Sequence, residues 1–228
     1  MNVIIKISAV LFLLLFSSAC EDNPPKKDIV IYGLGVDFSP YDAGTGKAGD
    51  FIYSISPPPP EKVFLEFGAP VIDVSGNIKH LPTFEYRIDK NAELRAIAEG
   101  IVDRMYVNSE GDYEIVVHYT PNDDFFVVYD HITNLKVGVG DKIVPGQVLG
   151  NPGAWDDTYG RFEIMINNYH TKLSYCPFVY FDPALKDEYE QKVNLFIQEW
   201  ESFKGDGSIY DEGNYPYAGC RMANMASY

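Results

Sequence analysis

Ala98-Glu-Gly-Ile-Val102, Tyr129-Asp-His-Ile132, Val137-Gly-Val-Gly-Asp-Lys-Ile-Val-Pro-Gly-Gln-Val-Leu-Gly150 and Arg161-Phe-Glu-Ile-Met165 follow one another along the middle of this chain. Short apolar runs fill the space between and around them. Ile101-Val-Asp-Arg-Met-Tyr-Val107 and Tyr113-Glu-Ile-Val-Val-His-Tyr119 are separated by Asn108-Ser-Glu-Gly-Asp112, and Phe125-Phe-Val-Val-Tyr129 follows Pro121-Asn-Asp-Asp124. Runs rich in Val, Ile and aromatic residues, bounded by Gly, Pro, Asn and Asp, read as strands joined by tight turns. Ile164-Met-Ile166 closes the set. No helical period intervenes, so the stretch predicts a mainly β domain, a compact antiparallel sandwich or barrel.

Upstream, over 28–66, brief apolar runs such as Ile29-Val-Ile-Tyr32, Phe51-Ile-Tyr-Ser-Ile55 and Val63-Phe-Leu-Glu-Phe67 alternate with Gly and Pro breaks and read as further strands. Pro57 to Pro60 predict a stiff, extended connector. Downstream, Asp182 is suited to cap a helix with Pro183 at its first position. Leu185, Tyr189, Val193, Phe196, Trp200 and Phe203 recur at steps of three and four, and Gly205 follows them. This predicts one C-terminal amphipathic helix over 183–204, its apolar stripe buried on a β domain spanning 67–182. The stretch 205–228 is rich in Gly, Tyr and Asn and reads as a flexible tail unless Cys220 pins it.

The first 19 residues read as a signal peptide: Lys6 is basic, Ile7 to Phe16 is an apolar run of ten, and Ser17-Ser-Ala19 is a small-residue cleavage site before Cys20. Ten apolar residues are too few to span a bilayer. Removing the leader takes one of the 18 basic residues and none of the 33 acidic ones, leaving a net charge of −16. Such a surface argues against nucleic acid as a partner. In an exported chain, Cys176 and Cys220 form an even pair suited to a disulfide.

Small residues leading into Cys20 resemble a bacterial lipobox, which implies lipidation at Cys20 and a tether over 20–27. The motif order within 98–165 resembles the LytM or lysostaphin-type zinc endopeptidases, which cut peptidoglycan cross-bridges and have the duplicated hybrid motif fold. That family builds its site from a His-x-x-x-Asp pair, a His after Tyr-x, and a His-x-His immediately before Phe-Glu. Here the middle element is kept as His131, while Tyr159-Gly-Arg161 stands where His-x-His is expected. Aligned on Gly100-Ile-Val102, the family's Asp falls near Glu85 and its first His near Leu81, one residue from His80. Lys79-His-Leu-Pro-Thr-Phe-Glu-Tyr86 and Cys176-Pro-Phe-Val-Tyr-Phe-Asp-Pro183 resemble a group of exported LytM-like proteins that lack the terminal His-x-His.

A catalytic zinc needs about three protein ligands and an open position for water. Arg161 has no lone pair to offer and stays charged. The resemblance therefore implies a LytM-like domain without bound metal, in which Arg161 pairs with Glu85, His131 is a remnant of the catalytic set hydrogen-bonded nearby, and Tyr159 lines a groove. The function it implies is a cell-envelope lipoprotein, anchored in the outer membrane and facing the periplasm, that binds peptidoglycan peptide or an envelope protein. The competing reading is a zinc endopeptidase holding its ion through His80, Glu85 and His131. The four His include two others: His118 lies among apolar strand residues and His170 follows Asn167-Asn-Tyr169, and both read as structural or surface side chains. The glycine-rich string at 138–150 also resembles biotinyl or lipoyl carrier domains, but Asp141-Lys142 lies inside the turn common to both folds and not at a hairpin tip.

Overall fold

The computed structural model describes residues 29–73, 75–120 and 123–227. The leader, Cys20 and the tether lie outside the described residues. Three minimal strands, β1 (Tyr41–Asp42), β2 (Lys47–Ala48) and β3 (Phe51–Ile52), form a small antiparallel sheet. After β4 (Phe64–Leu65), the strands β5 (Pro70–Ile72) and β6 (Ile78–His80) make a separate hairpin. Then come β7 (Phe84–Asp89), β8 (Leu94–Arg95), β9 (Gly100–Val107), β10 (Tyr113–His118), β11 (Phe125–Thr133), β12 (Lys142–Ile143), β13 (Val148–Ala154), β14 (Tyr159–Asn168) and β15 (Leu173–Tyr175). Helix α1 (Lys186–Lys204) follows, and β16 (Asn224–Ala226) ends the chain's regular structure. The large sheet is antiparallel throughout, running β9-β10-β11-β14 with β7 on the far side of β14 and β15-β16 at its other end. Among the described residues the fold is thus mainly β with one α-helix, as the sequence predicts.

Period-two alternation explains what faces where. On β7, Phe84, Tyr86 and Ile88 are fully buried in the core, and Phe162, Ile164 and Ile166 of β14 lie beside them. Their alternates, Glu85 and Arg87 on β7 and Arg161 and Glu163 on β14, therefore share the opposite face. The core is closed by α1, whose Val193, Phe196, Ile197 and Trp200 are buried. Phe196 packs tilted against Phe51 at 4.5 Å, and Trp200 meets Tyr53 edge-on at 4.9 Å, both favourable aromatic geometries.

Several boundaries differ from the sequence reading. The helix begins at Lys186 and not at 183, because Asp182 caps the turn before it: its Oδ1 accepts from Ala184 N at 2.8 Å. It ends as expected at Gly205, which takes a left-handed φ of 67° while Asp206 N donates to Glu201 O. The 29–32 run contributes one bridge, Ile31 to Phe181, and not a strand. Pro57 to Pro60 do not extend: Pro57 and Pro58 are buried, the Pro59–Pro60 bond is cis, and Glu61 N donates back to Pro58 O.

The 67–182 boundary cuts through the sheet, since β4 pairs with β7 from before it and β16 pairs with β15 from after it. Residues 205–227 are packed and not a free tail. Cys220 is bonded to Cys176, Tyr210 is buried with its hydroxyl donating to Phe64 O, and buried Glu66 gathers Lys62, Tyr215 and Arg221. Among the described residues no helix is long and apolar enough to cross a membrane.

Candidate functional site

Cross-strand register sets out the site. Glu85 stands opposite Glu163 and Arg87 opposite Arg161 across β7 and β14, while Asp130 of β11 stands opposite Glu163 on its other side. Unpaired, this many buried charges would cost several kcal/mol. They are paired instead. Arg161 Nη2 lies 3.2 Å from Glu85 Oε2 and in closer contact with Glu163, while Arg87 pairs with the other oxygen of Glu85. The half-exposed Trp155 lies over Arg87, its ring centroid 3.3 Å from the guanidinium carbon, and covers the cluster from solvent.

His131 approaches from the end of β11. Its φ of 59° takes it out of strand geometry and turns the ring toward the β9–β10 turn. There Nδ1 lies 2.9 Å from Asp112 Oδ2 and 3.7 Å from Glu110 Oε2. Nε2 lies 3.8 Å from both Asp130 Oδ2 and Glu163 Oε1. Asn108 holds two of these acids in place, its amide donating to Asp112 Oδ1 and to Asp130 Oδ1 at 2.7 Å each. The charged cluster continues into a shallow groove of about 390 Å³ on the same sheet face, where Val116, Phe126, Val128, Met165 and Asn167 present side chains.

Residues 82–172 match peptidase family M23. The chain carries an M23 peptidase-family domain. Among solved structures, lysostaphin is similar at 16% identity over 45% of this chain and 42% of its own length, with a TM-score of 0.37. A catalytic-domain variant of the prophage-encoded M23 protein EnpA from Enterococcus faecalis gives 16% identity, 57% and 87% coverage, and a TM-score of 0.37. Csd3 from Helicobacter pylori gives 13% identity, 73% and 45% coverage, and a TM-score of 0.40. The chain therefore spans less than half the length of the lysostaphin and Csd3 chains that it matches. No curated protein sequence matches it.

At the positions where the sequence resemblance would place the family's metal ligands, the side chains present are engaged elsewhere or offer no donor. Glu85 is committed to two guanidinium groups, Arg161 offers no lone pair, and Leu81 is buried in a small apolar cluster with Leu65 and Ala69. His80 does not substitute for Leu81. It belongs to the β5–β6 hairpin, and its Nδ1 lies 2.9 Å from Gly68 O. The set His80, Glu85 and His131 does not converge. Among the described residues the His and carboxylate donors that do converge, within 4.8 Å of one another, are those of Glu110, Asp112 and His131.

Tyr159 does not line an open groove: it is buried, and its hydroxyl donates to Ile52 O. His118 is buried against Phe126, ring on ring at 5.3 Å, and His170 is exposed. Sequence reasoning overlooked Arg87, Trp155, Asn108, Glu110 and Asp112. The strict alternation in Phe84-Glu-Tyr-Arg-Ile-Asp89 was the available signal for Arg87. The three turn residues were legible only as turn formers.

Burial, and then the facing carboxylate of Glu85, pushes Glu163 up to about 8 from its ordinary 4.5, while Arg161 opposes the shift. Burial lowers Arg87 to about 10, with Glu85 opposing. Because the folded state holds the Glu163 proton more tightly than the unfolded chain, the associated stability is complete below about pH 4.5 and is lost as pH rises through about 8. Glu163→Gln, a neutral isostere, is expected to remove this component. The wild-type minus variant difference in denaturation free energy should fall steadily from pH 5 to pH 9, leaving the variant the more stable at alkaline pH. A difference independent of pH would show that Glu163 is ionised throughout.

Proposed function

We propose that this protein is a non-hydrolytic M23-type binding module of the cell envelope. In this reading it is exported, lipidated at Cys20 and held at the outer membrane facing the periplasm, where its groove takes peptidoglycan peptide or an extended segment of an envelope protein. The observation that carries the reading is Arg161, whose guanidinium lies between Glu85 and Glu163 at the family's metal position. A fixed cation there removes the Lewis acid and the activated water on which the family's hydrolysis depends, while the groove along β11 and β14 remains. The groove floor is apolar and rimmed by Arg104, Asn167 and Lys172, a mixture suited to an extended peptide backbone.

The test incubates purified protein with isolated sacculi, with and without added zinc. Retention on the sacculi without release of soluble fragments is the expected result. Fragment release would establish the zinc endopeptidase instead, and neither retention nor release at moderate salt would remove the wall as ligand and leave a protein partner.

A further inference from the structure

We propose that Glu110, Asp112 and His131 form a cation site of their own, distinct from the position filled by Arg161, and that it takes a first-row divalent ion of the zinc type. The donors come from two elements. Asp112 and His131 are buried, at 4% and 7% exposure, whereas Glu110 sits on the exposed β9–β10 turn. An imidazole with two carboxylates is a donor set that zinc accepts. With bonds of about 2.0–2.2 Å, tetrahedral donors stand roughly 3.3–3.6 Å apart. His131 Nδ1 is 2.9 Å from Asp112 Oδ2 and 3.7 Å from Glu110 Oε2, on either side of that spacing.

The surroundings are arranged as around a bound metal. Asn108 occupies Asp112 Oδ1, leaving Oδ2 directed at the imidazole. The far ring nitrogen of His131 points away from these donors, 3.8 Å from carboxylate oxygens of Asp130 and Glu163 and beyond direct hydrogen-bond distance. A separate observation comes from Gly153 on β13. Its φ is not in the left-handed region, so the backbone does not require glycine there. A Cβ at this position would collide with Asp112 Oδ2 and come within 3.2 Å of His131 Cβ. Glycine keeps the space at these two donors clear.

Charge points the same way. Glu110, Asp112, Asp130 and Glu163 converge on one imidazole, and of these Arg161 reaches Glu163 alone. Among the described residues no lysine or arginine pairs with Glu110, Asp112 or Asp130, and a dication would balance them. The exposed side of Glu110 provides an entry path and room for water ligands. The ion would tie the β9–β10 turn to β11 at the head of the groove.

This inference does not depend on wall binding: a protein that ignores sacculi can still take up zinc here. The test titrates zinc into metal-free full-length protein by calorimetry and follows the melting temperature. One zinc per chain and a raised melting temperature are expected. Glu110→Gln, on an exposed turn where folding is not at stake, should weaken binding at least about tenfold, and Asp112→Asn should weaken it further, with circular dichroism unchanged. His80→Ala should bind as the wild type does. Absence of binding, binding indifferent to Glu110→Gln, or binding lost in His80→Ala would each overturn the assignment.

Discussion

Arg161→Met is expected to destabilise the protein by about 3 kcal/mol at neutral pH, the low end of the cost of breaking a buried ion pair, and by more above pH 8. The guanidinium is three-quarters buried and is the cation shared by Glu85 and Glu163. Met replaces its length and apolar stem but leaves the acids facing each other across β7 and β14. Two compensations hold the neutral-pH cost down. Glu85 keeps its pair with Arg87, and Glu163, raised to about 8, already holds its proton at pH 7.

Above pH 8 the second compensation fails, because ionising Glu163 then places an unpaired carboxylate beside Glu85 and Asp130. Denaturant titrations at pH 7 and pH 9 measure both quantities. Adding Glu163→Gln to Arg161→Met should recover much of the alkaline loss and little of the neutral one. A cost below about 1 kcal/mol at both pH values, the scale of a solvated surface pair, would mean that Arg161 is not the cation of this site.

Removing the Cys176–Cys220 disulfide, as Cys176→Ala/Cys220→Ala, is expected to cost about 3–4 kcal/mol by the chain-entropy model. Both sulfurs are buried and close a loop with a sequence separation of 44. For a domain of this size that corresponds to a fall in melting temperature of roughly 6–16 °C. The loss should be localised. Without the covalent link, residues 217–227 depend on β16 pairing with β15 and on Arg221 and Tyr215 reaching Glu66. Amide exchange in that segment should accelerate strongly while β9, β10 and β11 stay protected. A melting temperature within about 2 °C of the wild type, below the shift expected for 1 kcal/mol, would show that noncovalent packing holds the segment unaided.

Strands β9, β10 and the start of β11 were legible because alternating apolar residues are punctuated by turn residues whose chemistry is local. The stripe of α1 was legible for the same reason, as steps of three and four need no partner to be seen. Its first turn was not, because a capping Asp serves a helix or the turn before it equally well, and only the path of the chain from Phe181 decides which. Glu85 and Arg161 were reached through the motif order of the M23 family, which places them in register without showing their contact. Arg87 and Trp155 escaped notice because their importance lies in one stacking on the other across a sheet face. Asn108, Glu110 and Asp112 read as turn formers and also serve as turn formers: Asn108 N donates to Asp112 O at 2.8 Å.

By itself the sequence determined the β-rich class, the C-terminal helix and its buried face, and the acidic balance of the chain, because each follows from residue type and spacing. Only the tertiary structure decided that β4 and β16 complete the sheet, that residues 205–227 are packed, and that the convergent donors around His131 are Glu110 and Asp112 and not His80 and Glu85. Those outcomes depend on strand register and on which loop folds over which strand. A shift of one residue in the pairing of β7 with β14 would send Glu85 and Arg87 to the core and Phe84 and Tyr86 to solvent. It is the burial of those aromatic rings that holds the charged face of the site together.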